Sequence, residues 1–394
     1  MSDPKRQHEW EAEREALARY VAQGDIRCVF SQAHLVEMAP LDRSRAGLAV
    51  HKVDLLVSLC GGFTLPSLDR LLSGELMALR EERPRIHDVI ADDGKWYPPI
   101  DDIIANAGTK LFTSEEISNA IAQYAGDRVQ RRAAQRKLLK KGASLSGLLS
   151  KLKAEDLGDA ALKVQKTYPM RNEDARTLVR YMRGQASGTD AQRAFESSLR
   201  DPRFMMRWFA SENTDVTQFT SWLRDSSLKL KTVVEDFAAL AKLIRELPED
   251  QRTHVAPKTI LAKDQWNHRA DALTARVAQR LADEFLSPPT LLQFEHLHQT
   301  CAGLSTMLRT FFDAAWTSTT EQPRAPSSSD LGDSYHAMYS PYVDIFRPDS
   351  FMAPHIARHA TRFGTQVVPK LRQLVPAIEA RISERRLAGD AATT

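Results

Sequence analysis

Three short patterns hold the residues that could do chemistry. Phe30-Ser31-Gln32-Ala33-His34-Leu35-Val36-Glu37 sets a serine at the end of an apolar run, with a carboxylate six residues later. Asp333-Ser-Tyr-His336 opens a helix-like segment near the other end of the chain. Tyr342-Val-Asp344-Ile-Phe-Arg-Pro-Asp349 carries one acid inside a strand-like run and another just past its end. Carboxylates brought together repel one another and raise their own pKa values. A hard cation relieves that repulsion, and Mg²⁺ or Mn²⁺ prefers oxygen ligands. Such an ion orients water and stabilises the charge of an in-line attack on a phosphodiester. Each acid taken alone is equally a helix cap or a solvated side chain. The joint pattern at both ends of the chain carries the chemical reading.

The elements that must position these residues follow from periodicity and punctuation. Residues 8–23 form an amphipathic pattern that Gly24 can stop. Residues 25–30 are a short β-type run, Ser31 reads as an N-cap, and 32–38 as a helix start. Residues 42–60 fit a helix ended by Gly61-Gly62. From 67 to 316 the pattern is almost wholly helical, with candidates at 127–141, 173–183, 203–210, 215–245, 264–285 and 289–315. Prolines 202, 248, 257, 288 and 289 mark joints. A polar, Pro/Ser-rich run at 317–329 has the composition of a connection. Beyond it the pattern alternates: helix at 333–338, strand at 342–346, helix at 350–363, strand at 365–368 and helix at 370–381. Alternation of this kind implies a parallel sheet. Acids beyond the carboxyl ends of parallel strands sit where open α/β sheets bind ligands.

These segments resemble the PIN-like nuclease family. Ser31 to Glu37 looks like its strand–serine–helix–glutamate segment, and Asp333-x-x-His336 followed by Asp344 and Asp349 looks like its closing acidic segment. The resemblance covers roughly residues 10–65 and 328–382. It implies a predominantly helical α/β fold whose parallel sheet is built from both chain ends, with a large all-α insertion. The expected divisions are 1–65 and 330–385 for the two parts of one domain, 66–316 for the insertion, 317–329 for a linker and 386–394 for a disordered tail. The resemblance also implies RNA as substrate and Mg²⁺ or Mn²⁺ as the ion. Glu37, Asp333 and Asp349 would be catalytic metal-binding carboxylates, and Asp344 an auxiliary ligand or a structural acid. Ser31, His34 and His336 would support them.

The match fails at the start. PIN domains open with a strand ending in aspartate, whereas Met1 to Gln7 offers only Asp3 followed by Pro4. Proline lacks the donor that a central strand needs. Two expectations follow: the first strand and its aspartate precede Met1, or the domain is a non-catalytic scaffold recognising nucleic acid or a protein.

Composition bounds the rest. The net charge of +3 from 54 basic and 51 acidic residues does not by itself imply nucleic-acid binding. No apolar run is long enough for a membrane span. The polar opening predicts no secretory signal. Cys28, Cys60 and Cys301 form no C-x-x-C pair, which fits a reduced, cytoplasmic protein. Arg131, Arg132, Arg136, Lys137, Lys140 and Lys141, with Arg128, crowd one segment without an acid after Asp127. That segment is either a phosphate-contacting helix or a solvated one. Trp208, Phe209 and Trp222 read as core packing ahead of base stacking, and Glu295-His296-Leu-His298 lacks zinc spacing. A protein partner or a homo-oligomer is compatible with all of this.

Overall fold

One helix explains much of the architecture. The segment Ala302–Trp316 carries apolar residues around its whole circumference, with Arg309 and Asp313 as its two charges, and such a helix is stable only when surrounded. In the computed structural model every one of its residues except Arg309 and Ala315 is buried. The structure describes residues 4–39, 46–100, 104, 156–211, 243, 246–251, 263–318 and 328–392. These residues are mostly helical and fall into two units.

The first unit comprises residues 1–37, 58–92 and 221–394. Its described helices are α1 (Pro4–Gln23), α2 (Gln32–Met38), α4 (Leu68–Arg80), α9 (Lys263–Phe285), α10 (Leu297–Thr300), α11 (Ala302–Trp316), α12 (Ser328–Ala337), α13 (Ala353–Ala360) and α14 (Leu374–Ala392). Helices α4, α9, α10, α12 and α13 all pack on α11. Leu71, Leu72, Leu76 and Leu79 of α4 meet Leu304, Met307 and Leu308 of α11 in the main core. Gly24 and Gly61 take the left-handed conformation that ends the helices before them, as their sequence positions suggest.

The sheet is small. Strands β1 (Ile345–Phe346) and β2 (Gln366–Val367) pair in parallel, with Ile345 opposite Gln366 and Phe346 opposite Val367. Helix α13 lies between them in sequence, so the expected strand–helix–strand alternation and parallel sense hold. Both strands come from the C-terminal segment. The N-terminal β-type run contributes a single parallel bridge, Phe30 to Thr64, and Thr64 in turn pairs antiparallel with Ala91. The strands are shorter than the expected 342–346 and 365–368: Ser340–Tyr342 winds into a 3₁₀ turn, and the pairing is bounded by the Gln366 N–H to the Asp344 carbonyl and the Val368 N–H to the Phe346 carbonyl.

The second unit comprises residues 38–57 and 93–220. It holds most of α3 (Ala46–Cys60) and four helices in succession: α5 (Leu157–Thr167), α6 (Asn172–Met182), α7 (Gly188–Leu199) and α8 (Pro202–Ser211). Asp156 caps α5 through the N–H of Gly158, and Ser187 with Asp190 forms a capping box on α7. Trp208 and Phe209 are buried and touch edge to face, which settles their reading as packing residues.

Of the 66–316 block, residues 68–80 and 263–316 thus lie with the chain ends in the first unit. Helix α14 continues through residues 386–392, where a tail was expected. The 289–315 candidate is helical only as α10 and α11. The basic segment with Arg131, Arg132, Arg136, Lys137, Lys140 and Lys141 lies outside the described residues, as do Trp222 and most of the 215–245 candidate.

Candidate functional site

Helix α2 begins immediately after Ser31, as the N-cap reading requires. The third helical residue is His34, and its Nδ1 accepts the N–H of Ser31 at 3.1 Å. The imidazole therefore takes the place that a glutamate holds in a capping box. Ser31 Oγ lies 3.0 Å from the same nitrogen. With Nδ1 committed as an acceptor, His34 carries its proton on Nε2. Burial, and secondarily the charge of His336, pushes the pKa of His34 down to about 3, so the ring is neutral at physiological pH.

Glu37 follows His34 by three residues and so shares its helix face. On α12, Asp333 and His336 have the same spacing. The two helices meet through these residues: His336 Nε2 lies 3.2 Å from Glu37 Oε2. The rings of His34 and His336 touch edge to face, 4.4 Å between centroids. Gly332 permits the approach, because a β-carbon there would stand 2.7 Å from Glu37 Oε1. Asp333, the next residue, is half-buried. The first two motifs, at opposite ends of the chain, are thus brought into one cluster of Ser31, His34, Glu37 and His336 beside Asp333.

The third motif is used differently. Asp344 is exposed and pairs with Arg385 of α14 at 2.8 Å. Asp349 lies just past β1, and its Oδ1 accepts the N–H of Met352 at 2.6 Å, capping the turn into α13. The cap arises because the turn after a strand leaves backbone donors open, which a short carboxylate satisfies. Among the described residues, no three His, Cys, Asp or Glu side chains converge on a point where a metal could sit. The four expected carboxylates are therefore not one ligand set. Of the four, Glu37 lies against α12 at Gly332, the residue before Asp333, and Mg²⁺ is commonly held by one or two carboxylates with substrate phosphates completing its shell.

Two polar features escaped the motif reading. Glu75 is fully buried, and its carboxylate accepts the N–H groups of Gly303 and Leu304 at the start of α11 together with the Tyr342 hydroxyl. Burial pushes its pKa up to about 7 despite those bonds. The signal was a glutamate within the apolar stripe Leu72, Leu76, Leu79. The second feature is the pair Arg309 and Asp313, charged residues one turn apart on an otherwise uncharged helix.

No family model matches the chain, and no curated protein or solved structure shows detectable similarity to it. Among the described residues, no helix is long and apolar enough to cross a membrane.

Proposed function

We propose that the chain is a PIN-like ribonuclease whose working centre is the contact between α2 and α12. The observation that supports this reading is the Glu37–His336 contact, which unites two motifs that the resemblance pairs. When bound, Mg²⁺ or Mn²⁺ would supply the charge neutralisation that phosphodiester attack requires. Glu37 and Asp333 are the residues that would hold it. His336 orients the Glu37 carboxylate, and neutral His34, fixed by Ser31, keeps the ring of His336 in place. The test is cleavage of labelled single-stranded RNA by the full chain in Mn²⁺. Glu37→Gln and Asp333→Asn are each expected to lower the rate at least a hundredfold; retention of the rate in both variants would overturn the reading.

A second reading is favoured by the engagement of Asp344 with Arg385 and of Asp349 with its turn. In that reading the α/β part is a scaffold and the chain binds RNA or a protein without cleaving it. RNA binding by the wild type with no turnover in Mn²⁺ would select it.

A further inference from the structure

Three packed helices of the first unit border a cavity that none of the three motifs reaches. Asp271 of α9, Arg309, Phe312 and Asp313 of α11, and Arg358 and His359 of α13 are among the residues that line its volume of about 410 Å³. The three on α11 stand at i, i+3 and i+4, so helical periodicity sets them on one face. The cavity holds two ion pairs. Arg309 Nη2 donates to Asp271 Oδ1 at 2.6 Å, and Arg358 Nη1 donates to Asp313 Oδ2 at 2.8 Å. Within each pair the charges cancel, so neither pair recruits an ion. Lys263, also on the lining, is engaged over the ring of Trp316 at 5.5 Å.

What the pairs leave open is hydrogen-bonding capacity. A carboxylate accepts through two oxygens, and a guanidinium donates through five N–H groups. Asp313 is buried, yet both of its contacts, from Arg358 and from His359 Nε2, fall on Oδ2. Its Oδ1 has no partner among the described residues. A carboxylate taken out of bulk water in this way calls for a donor from the cavity side. The group stays ionised: burial raises its pKa, but His359 and Arg358 outweigh that effect and hold it below the ordinary value. Asp271 likewise spends only Oδ1, and each guanidinium spends one terminal nitrogen and keeps the other.

Each pair thus sets an open acceptor beside an open donor. Two neighbouring hydroxyls on a ring match that edge, one donating to the carboxylate and the other accepting from the guanidinium. A ring with several hydroxyls can engage both pairs, and it brings no charge to a place where charge is already balanced. Its C–H face has an aromatic wall to rest on in Phe312. The cavity is in the size range of small-molecule sites, which begin at roughly 300 Å³. We propose that this cavity binds a neutral polyhydroxylated ring, a sugar or a cyclitol, through its vicinal hydroxyls. The proposal uses no residue of the α2–α12 cluster and stands apart from the nuclease reading.

The experiment is calorimetric titration of the full chain, with saturation-transfer NMR on the ligand as the second readout. Thermal shift is unsuitable, because polyols excluded from protein surfaces stabilise folded chains without binding them. The probes are D-glucose, D-ribose and myo-inositol, and the control is cyclohexanol, a ring with a single hydroxyl. Saturable binding of at least one of the three probes is expected, with none by cyclohexanol. Tighter binding of glucose or ribose marks a sugar site, and tighter binding of myo-inositol a cyclitol site. Asp271→Asn turns an open acceptor into a donor, and Arg358→Gln removes the guanidinium. Both side chains are about half exposed, so neither change cuts into the packed core. Each is expected to weaken binding at least tenfold at unchanged far-UV circular dichroism. Failure of all three probes to saturate up to about 100 mM, two decades above a millimolar site, would overturn the proposal. Equal binding of cyclohexanol, or unchanged affinity in either variant, would do the same.

Discussion

His336 Nε2 and Glu37 Oε2 stand 3.2 Å apart, joining α12 near the end of the chain to α2 near its start. The contact depends on Gly332, whose missing β-carbon leaves room for the Glu37 carboxylate. Glu37 is half exposed at its tip and can swing into solvent. Gly332→Ala is therefore expected to displace the carboxylate without unfolding the protein. A double-mutant cycle between Glu37→Gln and His336→Ala should give about 0.5 kcal/mol of coupling in the wild type, as partly exposed polar pairs do. In the Gly332→Ala background the coupling should vanish. Undiminished coupling there would show that the glycine does not govern the approach.

Glu75 makes stability depend on pH. Its folded pKa of about 7 lies above the ordinary 4.5, with burial as the largest cause. A carboxyl whose folded pKa is raised stabilises the fold when protonated. That contribution is complete below pH 4.5 and is lost as pH rises through about 7. When the proton arrives, the Tyr342 hydroxyl can turn from donor to acceptor, while the two backbone N–H groups cannot. Denaturant titrations of the wild type and Glu75→Gln should diverge between about pH 5 and about pH 8. The wild type should lose on the order of 3 kcal/mol relative to the variant. A difference that stays constant with pH would contradict this account.

The start of α11 admits no side chain at Gly303. A β-carbon there would lie 2.7 Å from the Met338 carbonyl oxygen and 3.0 Å from Glu75 Oε1. The first is backbone and cannot rotate away, so Gly303→Ala must push α11 off its neighbours. The expected cost is about 1–3 kcal/mol, the range for overpacked cores. Equilibrium unfolding measures it directly, and a neutral substitution would refute the close approach. Gly47, with open space where its β-carbon would stand, is the matched control.

The local features of the fold were legible because local rules set them. Ser31 starts α2, Gly24 and Gly61 stop their helices, and alternating apolar runs mark β1 and β2 in parallel pairing. The meeting of Glu37 with His336 was not readable from local rules, since nothing near Glu37 in sequence names a partner on α12. The partners of Asp344 and Asp349 were not legible in the same way. A carboxylate beyond a strand can face a ligand or its own turn, and the backbone donor of Met352 decides which. The pairs of Asp271 with Arg309 and of Asp313 with Arg358 were hidden because these residues become neighbours only once α9 and α13 pack on α11. Trp208 and Phe209 were readable as core from their helical spacing with other apolar residues, and they are core.

Asp349 offers a clean separation of structure from chemistry. Its Oδ1 caps the turn into α13, and the second carboxylate oxygen is left for other work. Asparagine is as good a cap as aspartate, whereas alanine removes the acceptor at a cost of about 1 kcal/mol. Asp349→Asn should keep the wild-type Tm, and Asp349→Ala should lower it. On the proposed ribonuclease reading, if Asp349 serves only the turn, RNA cleavage in Asp349→Asn will match the wild type. If it also works as an acid near substrate, cleavage will fall at least tenfold at unchanged Tm. Asp344→Asn is the reference, because its exposed pair with Arg385 is worth at most a few tenths of a kcal/mol. Equal activity in Asp344→Asn and Asp349→Asn would leave Glu37 and Asp333 as the carboxylates on which cleavage depends. A selective loss in Asp349→Asn would extend the site to the carboxyl end of β1, where parallel sheets bind their ligands.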